Sequence, residues 1–255
     1  RMFASKGMLR ADDDFFSPGA VGLPGSEAEE AVFGAPAPAE ITLRAALDTT
    51  TPDFYDSLDN MSSGVNQTYK GHVGGRPAIF KPVMTEEYEL DEFGGPLRDK
   101  IVPGAGPERE RAAYLMAREL DQAGVPVPTP AVVVRRDLEG EPFYGETTSV
   151  QTYVPNTYEI GQSKDYIEQV LEQDQIDDAA LFDAVIGNLD RHGGNALLDQ
   201  DGGLHLIDHG LAFPYENTDL GFGNNIFQGI ATDQRGGAVR LNGTQVEALE
   251  KIAVR

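Results

Sequence analysis

The chain has 255 residues, 20 Lys and Arg against 42 Asp and Glu, and a net charge of −22. Without a local basic patch, that charge opposes binding to nucleic acid or to an anionic lipid surface, and no run of about five Lys and Arg supplies one. Cys is absent, which removes disulfides, thiolate metal sites and a cysteine nucleophile, and no apolar stretch nears the ~18 residues of a membrane span.

Residues 1–60 hold Pro and Gly clusters (Ser17-Pro18-Gly19, Leu23-Pro24-Gly25, Ala35-Pro36-Ala37-Pro38) and acidic runs (Asp12-Asp13-Asp14, Glu29-Glu30). They read as an extended arm with a short helix near 40–47. Phe15, Phe16, Phe33, Phe54 and Tyr55 are more aromatics than a solvating tail carries. The arm is therefore a tail, or a segment that packs on a protein partner or on its own chain.

From residue 61 the pattern is α+β. Gln67–Val73 and Pro77–Val83 read as strands joined at Gly74-Gly75-Arg76. A long Gly- and Pro-punctuated connection, 84–107, leads to a helix over Glu108–Ala123, stopped by Gly124. Ala131–Arg135 and Thr147–Val154 read as strands. Helices follow at roughly 163–172 and 175–188. A polar turn, Asp190–Gly194, precedes a hairpin of Ala196–Leu198 with Leu204–Ile207, and a last helix spans about 244–253. The strand-rich half and the helix-rich half predict two lobes, 61–155 and 156–255, with a hinge near Tyr153–Asn156.

The chemistry concentrates in Asp190-Arg191-His192-Gly193-Gly194-Asn195 and Leu206-Ile207-Asp208-His209-Gly210. An Asp and an Asn stand five residues apart in a polar loop, and a second Asp follows thirteen residues later, at the end of a hairpin. Phosphoryl transfer uses such a set. One carboxylate takes the proton of the attacking hydroxyl, while an amide oxygen and a second carboxylate hold Mg²⁺, which prefers oxygen ligands. Lys81 ends the apolar strand Ala78-Ile79-Phe80; it either snorkels at a sheet edge or reaches phosphates in a cleft. Ser62-Ser63-Gly64 forms a small-residue turn whose backbone amides could cover phosphates. Glu110 could pair with Lys81, Glu108 is its rival, and the spacing does not choose between them.

Asp190-Arg191-His192-x-x-Asn195 followed by Ile207-Asp208-His209-Gly210-Leu211-Ala212-Phe213-Pro214 resembles the phosphatidylinositol 3/4-kinase-like group of the protein-kinase-like fold. The ending is most like the type II phosphatidylinositol 4-kinase branch and its small bacterial and phage relatives. Phe80-Lys81-Pro82 and Glu110-x-Ala112-Ala113-Tyr114 resemble that group's lysine strand and helix. The resemblance spans about residues 62–215.

It implies a two-lobed kinase-like fold and an ATP- and Mg²⁺-dependent phosphotransferase. Lys81 would contact the ATP phosphates, held by Glu110, with Ser63 and Gly64 over them. Asp190 would be the catalytic Asp, and Asn195 and Asp208 the metal ligands. Strand Ser149–Val154 would bond adenine, placing Gln151, Tyr153 and Val154 at the nucleotide. About forty residues follow Pro214, fewer than lipid kinases carry there, and the net charge opposes an anionic membrane. A protein or small-molecule acceptor is therefore expected over a lipid. A catalytically silent kinase-like module, attached to an assembly through residues 1–60, is the alternative, and nucleotidyl transfer to a protein stays open.

The chain begins at Arg1 with no signal-peptide pattern. A fragment, a processed product and a trimmed chain all fit, and a soluble, cytoplasmic location is expected.

Overall fold

A computed structural model describes residues 29, 32–54, 68–83, 101, 104–138, 145–215, 225–233 and 241–254. The turn at 62–66 and most of the connection 84–107 lie outside them, as do the aromatics Phe15, Phe16 and Tyr55.

Helix α1 spans Pro38–Thr49, with Pro in its first turn, where a missing N–H costs no helical bond. It ends as the Thr50 N–H and hydroxyl both bond the Ala46 carbonyl. Glu40, Leu43 and Leu47 fall on one helical stripe and are buried. Leu43 and Leu47 pack into a core with Tyr69, Val73, Phe80, Val133 and Val150. Strand β1 (Asp53–Phe54) then pairs with β2 (Tyr69–Val73). Residues 38–54 thus pack on the strand-rich lobe, the alternative in which the arm packs on its own chain, and the helix expected near 40–47 runs over Pro38–Thr49. The physical reason is that one face of the sheet needs an apolar cover, and the two leucines supply it. Deleting residues 1–54 should therefore abolish cooperative melting, and Leu47→Ala should cost about 2–5 kcal/mol in denaturant unfolding.

β2 turns through Gly74 and Gly75, both at positive φ (57° and 75°), into β3 (Arg76–Pro82). Two successive positive φ values are what a tight twisted hairpin requires, and glycine adopts them without strain. With β4 (Val132–Arg135) and β5 (Thr148–Thr152) the strands form an antiparallel sheet in the order β1-β2-β3-β5-β4. Phe80 stands opposite Val150, and Lys81 opposite Ser149. Side chains alternate faces along a strand, so Phe80 and Val150 point into the α1 core while Lys81 and Ser149 share the other face. Helix α2 (Gly106–Gln122) packs on that second face through Tyr114 and Leu115 against Ala131 and Val132.

The other lobe opens with β6 (Thr157–Glu159), followed by α3 (Lys164–Val170), capped by the Ser163 hydroxyl, and α4 (Gln173–Ile186), which starts on a Glu172/Gln175 capping box. β6 pairs with β7 (Ala196–Asp199), and β7 with β8 (Leu204–Leu206). α5 (Ile226–Asp233) and α6 (Gly243–Ala253) close the lobe. Its core joins Phe182, Ile186, Leu206 and Phe227 to Ala113, Ala117 and Leu120 of α2. The architecture is α+β, with α2 packed on the second face of the sheet through one small cluster and into the core of the other lobe through another.

Candidate active site

Alternation along β3 turns Lys81 away from the α1 core. Its Nζ lies 2.6 Å from Glu110 Oε1 and 3.1 Å from Asp208 Oδ1. Glu110, on the first turns of α2, is the partner; Glu108 bonds Arg136 at 3.2 Å. The second oxygen of Glu110 accepts the backbone N–H of His209 at 3.0 Å. One carboxylate therefore ties the lysine strand to the loop after β8. The Glu110 side chain is 2% exposed, that of Lys81 18% and that of Asp208 51%, so the triad opens to solvent at Asp208. Lys81 sits beside Asp208 and holds its carboxyl below the ordinary range; burial opposes this and the Arg191 guanidinium adds to it. Burial alone would lower the Lys81 pKa, but the charges of Asp208 and Glu110 outweigh it and raise it.

α4 ends at Gly187 with φ 61°, where Pro214 Cδ would lie 3.0 Å from an added Cβ. The chain then enters the polar loop. Arg191, fully buried, pairs with the fully buried Asp183 of α4 at 3.0 Å. It also donates to the carbonyls of Asn195 and Ile207, and to His209 Nδ1 at 2.9 Å. Guanidinium only donates, so His209 Nδ1 accepts and Nε2–H donates to the Leu206 carbonyl at 3.2 Å. Burial first, then Arg191 and Lys81, hold the His209 pKa well below its ordinary value, and the ring stays neutral. Asn188 and Asn225 also donate to Asp183, and the Arg109 guanidinium donates to the Gly210 carbonyl. Arg191 thus fastens the loop carrying Asp190 to the loop carrying Asp208. Arg191 and His209 stood in the quoted motif without an assigned role. Asn225 and Arg109 gave no sequence signal, because their partners lie 42 and 101 residues away, and Asp183, eight residues before Arg191, carried no mark of burial.

Asp190 and His192 are each 47% exposed in their side chains. The Asn195 amide nitrogen donates to the Asp190 carbonyl at 2.8 Å, which leaves its Oδ1 as the acceptor. The Ile207 N–H bonds the Asn195 carbonyl at 3.1 Å, which brings Asp208 alongside. Asp208 adopts φ 56°, a left-handed conformation costing an Asp on the order of 1 kcal/mol, the kind of strain found at functional sites. Gly193 is required by space: an added Cβ would lie 1.7 Å from the Gly161 carbonyl oxygen. Among the described residues no group of three or more His, Cys, Asp or Glu could hold a metal ion. The Asn195 amide oxygen and the half-exposed Asp208 carboxylate nevertheless fit the sparse oxygen set that Mg²⁺ takes when phosphates and water complete its shell.

Gln151 is buried on β5, opposite Ile79 and Val132, on the same face as Lys81. The Tyr153 N–H bonds Pro77 O, the Val154 carbonyl accepts from the Thr157 hydroxyl, and the Lys70 ammonium sits 3.7 Å from the centre of the Tyr153 ring. Ser63 and Gly64 lie outside the described residues. The structure brings together Lys81, Glu110 and Asp208, and, through Arg191, the loop of Asp190 and Asn195.

The family model for phosphatidylinositol 3- and 4-kinase matches residues 141–232, which hold Asp190, Asn195 and Asp208 but not Lys81 or Glu110. Phosphatidylinositol 4-kinase gamma 3 of Arabidopsis thaliana is 31% identical over 175 residues, covering 57% of this chain and 30% of that protein. Phosphatidylinositol 4-kinase gamma 4 of Oryza sativa subsp. japonica is 26% identical over 223 residues, covering 74% and 39%. The chain spans about a third of the length of these curated relatives. Among solved structures, the Helicobacter pylori proinflammatory kinase CtkA superposes with a TM-score of 0.41 at 11% identity, covering 72% of this chain and 66% of that one. The chain resembles the phosphatidylinositol 3- and 4-kinase family, a family of kinase-like phosphotransferases.

Proposed function

We propose that this chain is an ATP- and Mg²⁺-dependent phosphotransferase whose acceptor is a protein or a small molecule. The observation that carries the reading is the Lys81 ammonium between Glu110 and Asp208, 2.6 and 3.1 Å away. A cation braced by a buried carboxylate, next to an exposed one, is arranged to meet phosphate oxygens and a metal together. Asn195 Oδ1 and Asp208 would hold Mg²⁺, which supplies charge neutralisation at the transferred phosphoryl group. Asp190 accepts the proton of the acceptor hydroxyl as its oxygen bonds the γ-phosphorus and the bond to the ADP oxygen breaks. The segment Tyr153–Val154, which follows β5, would receive adenine. The backbone amides of Ser63 and Gly64 would cover the phosphates.

The net charge of −22 supports the choice of acceptor, since it repels an anionic bilayer. No helix among the described residues is long and apolar enough to cross a membrane. The relatives' names favour a second reading, in which phosphatidylinositol is the acceptor.

ATP at a hundredfold excess over its Kd should stabilise the protein by about 2.7 kcal/mol. That is a rise in melting temperature of roughly 5–10 °C with Mg²⁺, and much less with EDTA. Asp208→Asn should remove most of the Mg²⁺-dependent part. Absence of any shift in the intact protein at millimolar ATP would sink the reading. Labelled ATP offered with candidate proteins or with phosphatidylinositol vesicles then decides the acceptor, and intact mass separates gain of phosphate from gain of AMP.

A further inference from the structure

Helix α2 presents Glu110 to Lys81 on one side. On another it presents Arg111, Tyr114 and Arg118, spaced i, i+3 and i+7 along one stripe. All three meet Glu40 of α1, which is fully buried. Glu40 Oε1 accepts from Arg111 Nη2 at 2.7 Å and from Arg44 at 2.7 and 3.0 Å, and Oε2 accepts from Arg118 at 3.4 Å. The Tyr114 phenol, between the two guanidiniums, is pushed up to about 12 by burial and by the charge of Glu40. Arg111 also donates to the Val132 carbonyl on β4 and to Glu29. Arg118 reaches the carbonyls of Phe33 and Ala35.

Arg111 directly follows Glu110, and neighbouring residues on a helix point about 100° apart. Holding the Arg111 guanidinium between Glu40 and β4 therefore fixes the rotation of α2 at the turn that carries Glu110.

We propose that Glu40 is a positioning residue for the nucleotide site. By clamping Arg111 and Arg118 it sets the rotation of α2, and through it the place where Glu110 meets Lys81 and the His209 N–H. A helix on the far face of the sheet thereby reaches the phosphate-binding lysine through Arg111 and Glu110. The effect on turnover rests on the phosphotransferase reading; the effect on Glu110 does not.

Glu40→Ala would strand buried guanidiniums and is open to simple unfolding. The test therefore uses Glu40→Gln, which keeps the shape, and Glu40→Asp, which keeps the charge, in the full chain and well below each melting midpoint. Residue-resolved amide exchange without nucleotide is the first measurement. The His209 amide should exchange about tenfold faster in Glu40→Gln, with Leu198 and Leu204 in the β7–β8 hairpin unchanged, and Glu40→Asp should restore much of the protection. Unchanged exchange at His209, or equal acceleration at all three, would overturn the proposal.

The second measurement is kcat/KM for ATP in Glu40→Gln, Glu110→Gln and the double variant. Glu40→Gln alone should lose about tenfold and add nothing to Glu110→Gln, because a residue acting through Glu110 has no effect once Glu110 is gone. Multiplicative losses would overturn the proposal. If the wild-type chain transfers no phosphate, the phosphotransferase reading falls, and the exchange measurement still decides the clamp.

Discussion

Asp190→Asn is expected to lower turnover by roughly 10²–10⁴-fold while ATP affinity barely changes. The backbone of Asp190 is held at both ends: its N–H bonds Asn188 Oδ1 at 3.0 Å, and its carbonyl accepts from Asn195 at 2.8 Å. The carboxylate itself is half exposed, where an acceptor hydroxyl can arrive. The substitution keeps the shape and removes the base that the proposed mechanism assigns to Asp190. Lys81→Ala should behave differently. It leaves the carboxylates of Glu110 and Asp208 facing the phosphates without their shared cation, and so should damage nucleotide binding and turnover together. Nucleotide affinity and phosphate transfer measured on the same preparations separate the two. Full activity in Asp190→Asn would remove Asp190 from the mechanism. A loss of ATP binding as large as its loss of turnover would place it among the metal ligands.

A large effect on stability is expected at Arg191. Both Arg191 and its partner Asp183 are fully buried, so removing either leaves a charge without compensation in the interior. Asp183→Asn and Arg191→Met should each cost about 3–5 kcal/mol. That corresponds to a fall in melting temperature on the order of 10 °C. The double variant should recover part of the loss, because no lone charge remains. Glu108→Gln, in the more exposed pair with Arg136, should change stability by less than about 1 kcal/mol. Denaturant midpoints across the four variants check the ranking. Equal small effects would show that the loops of Asp190 and Asp208 are fastened by something other than the Arg191 network.

The sequence by itself determined what depends on near neighbours. Gly74-Gly75 between two alternating runs specifies a hairpin, Gly124 stops a helix, and the intervals between Asp190, Asn195 and Asp208 specify a loop-hairpin-loop of oxygen donors. The resemblance resting on those intervals agrees with the family match over 141–232. β1, β6 and α5 were not legible. β1 has two residues and β6 three, too few for a period to register. α5 lies in a stretch whose pattern points to no particular element, and it is placed by packing on α4 and by the Asn225–Asp183 bond.

Spacing left Glu108 and Glu110 open, the resemblance named Glu110, and the tertiary structure sets Glu110 against Lys81. Both start the same helix, two residues apart, and the face that α2 turns to β3 is decided by tertiary packing. The same holds for α1, whose Leu43 and Leu47 show a short apolar stripe but not the sheet that covers it. It holds most for Arg191, Asp183 and Glu40. In a sequence, a charged residue reads as solvated surface, because that is where an isolated charge is stable. These charges are buried because folding brings each a compensating partner, Arg191 to Asp183 eight residues away and Arg111 to Glu40 across 71 residues, and residue type alone carries no record of that encounter.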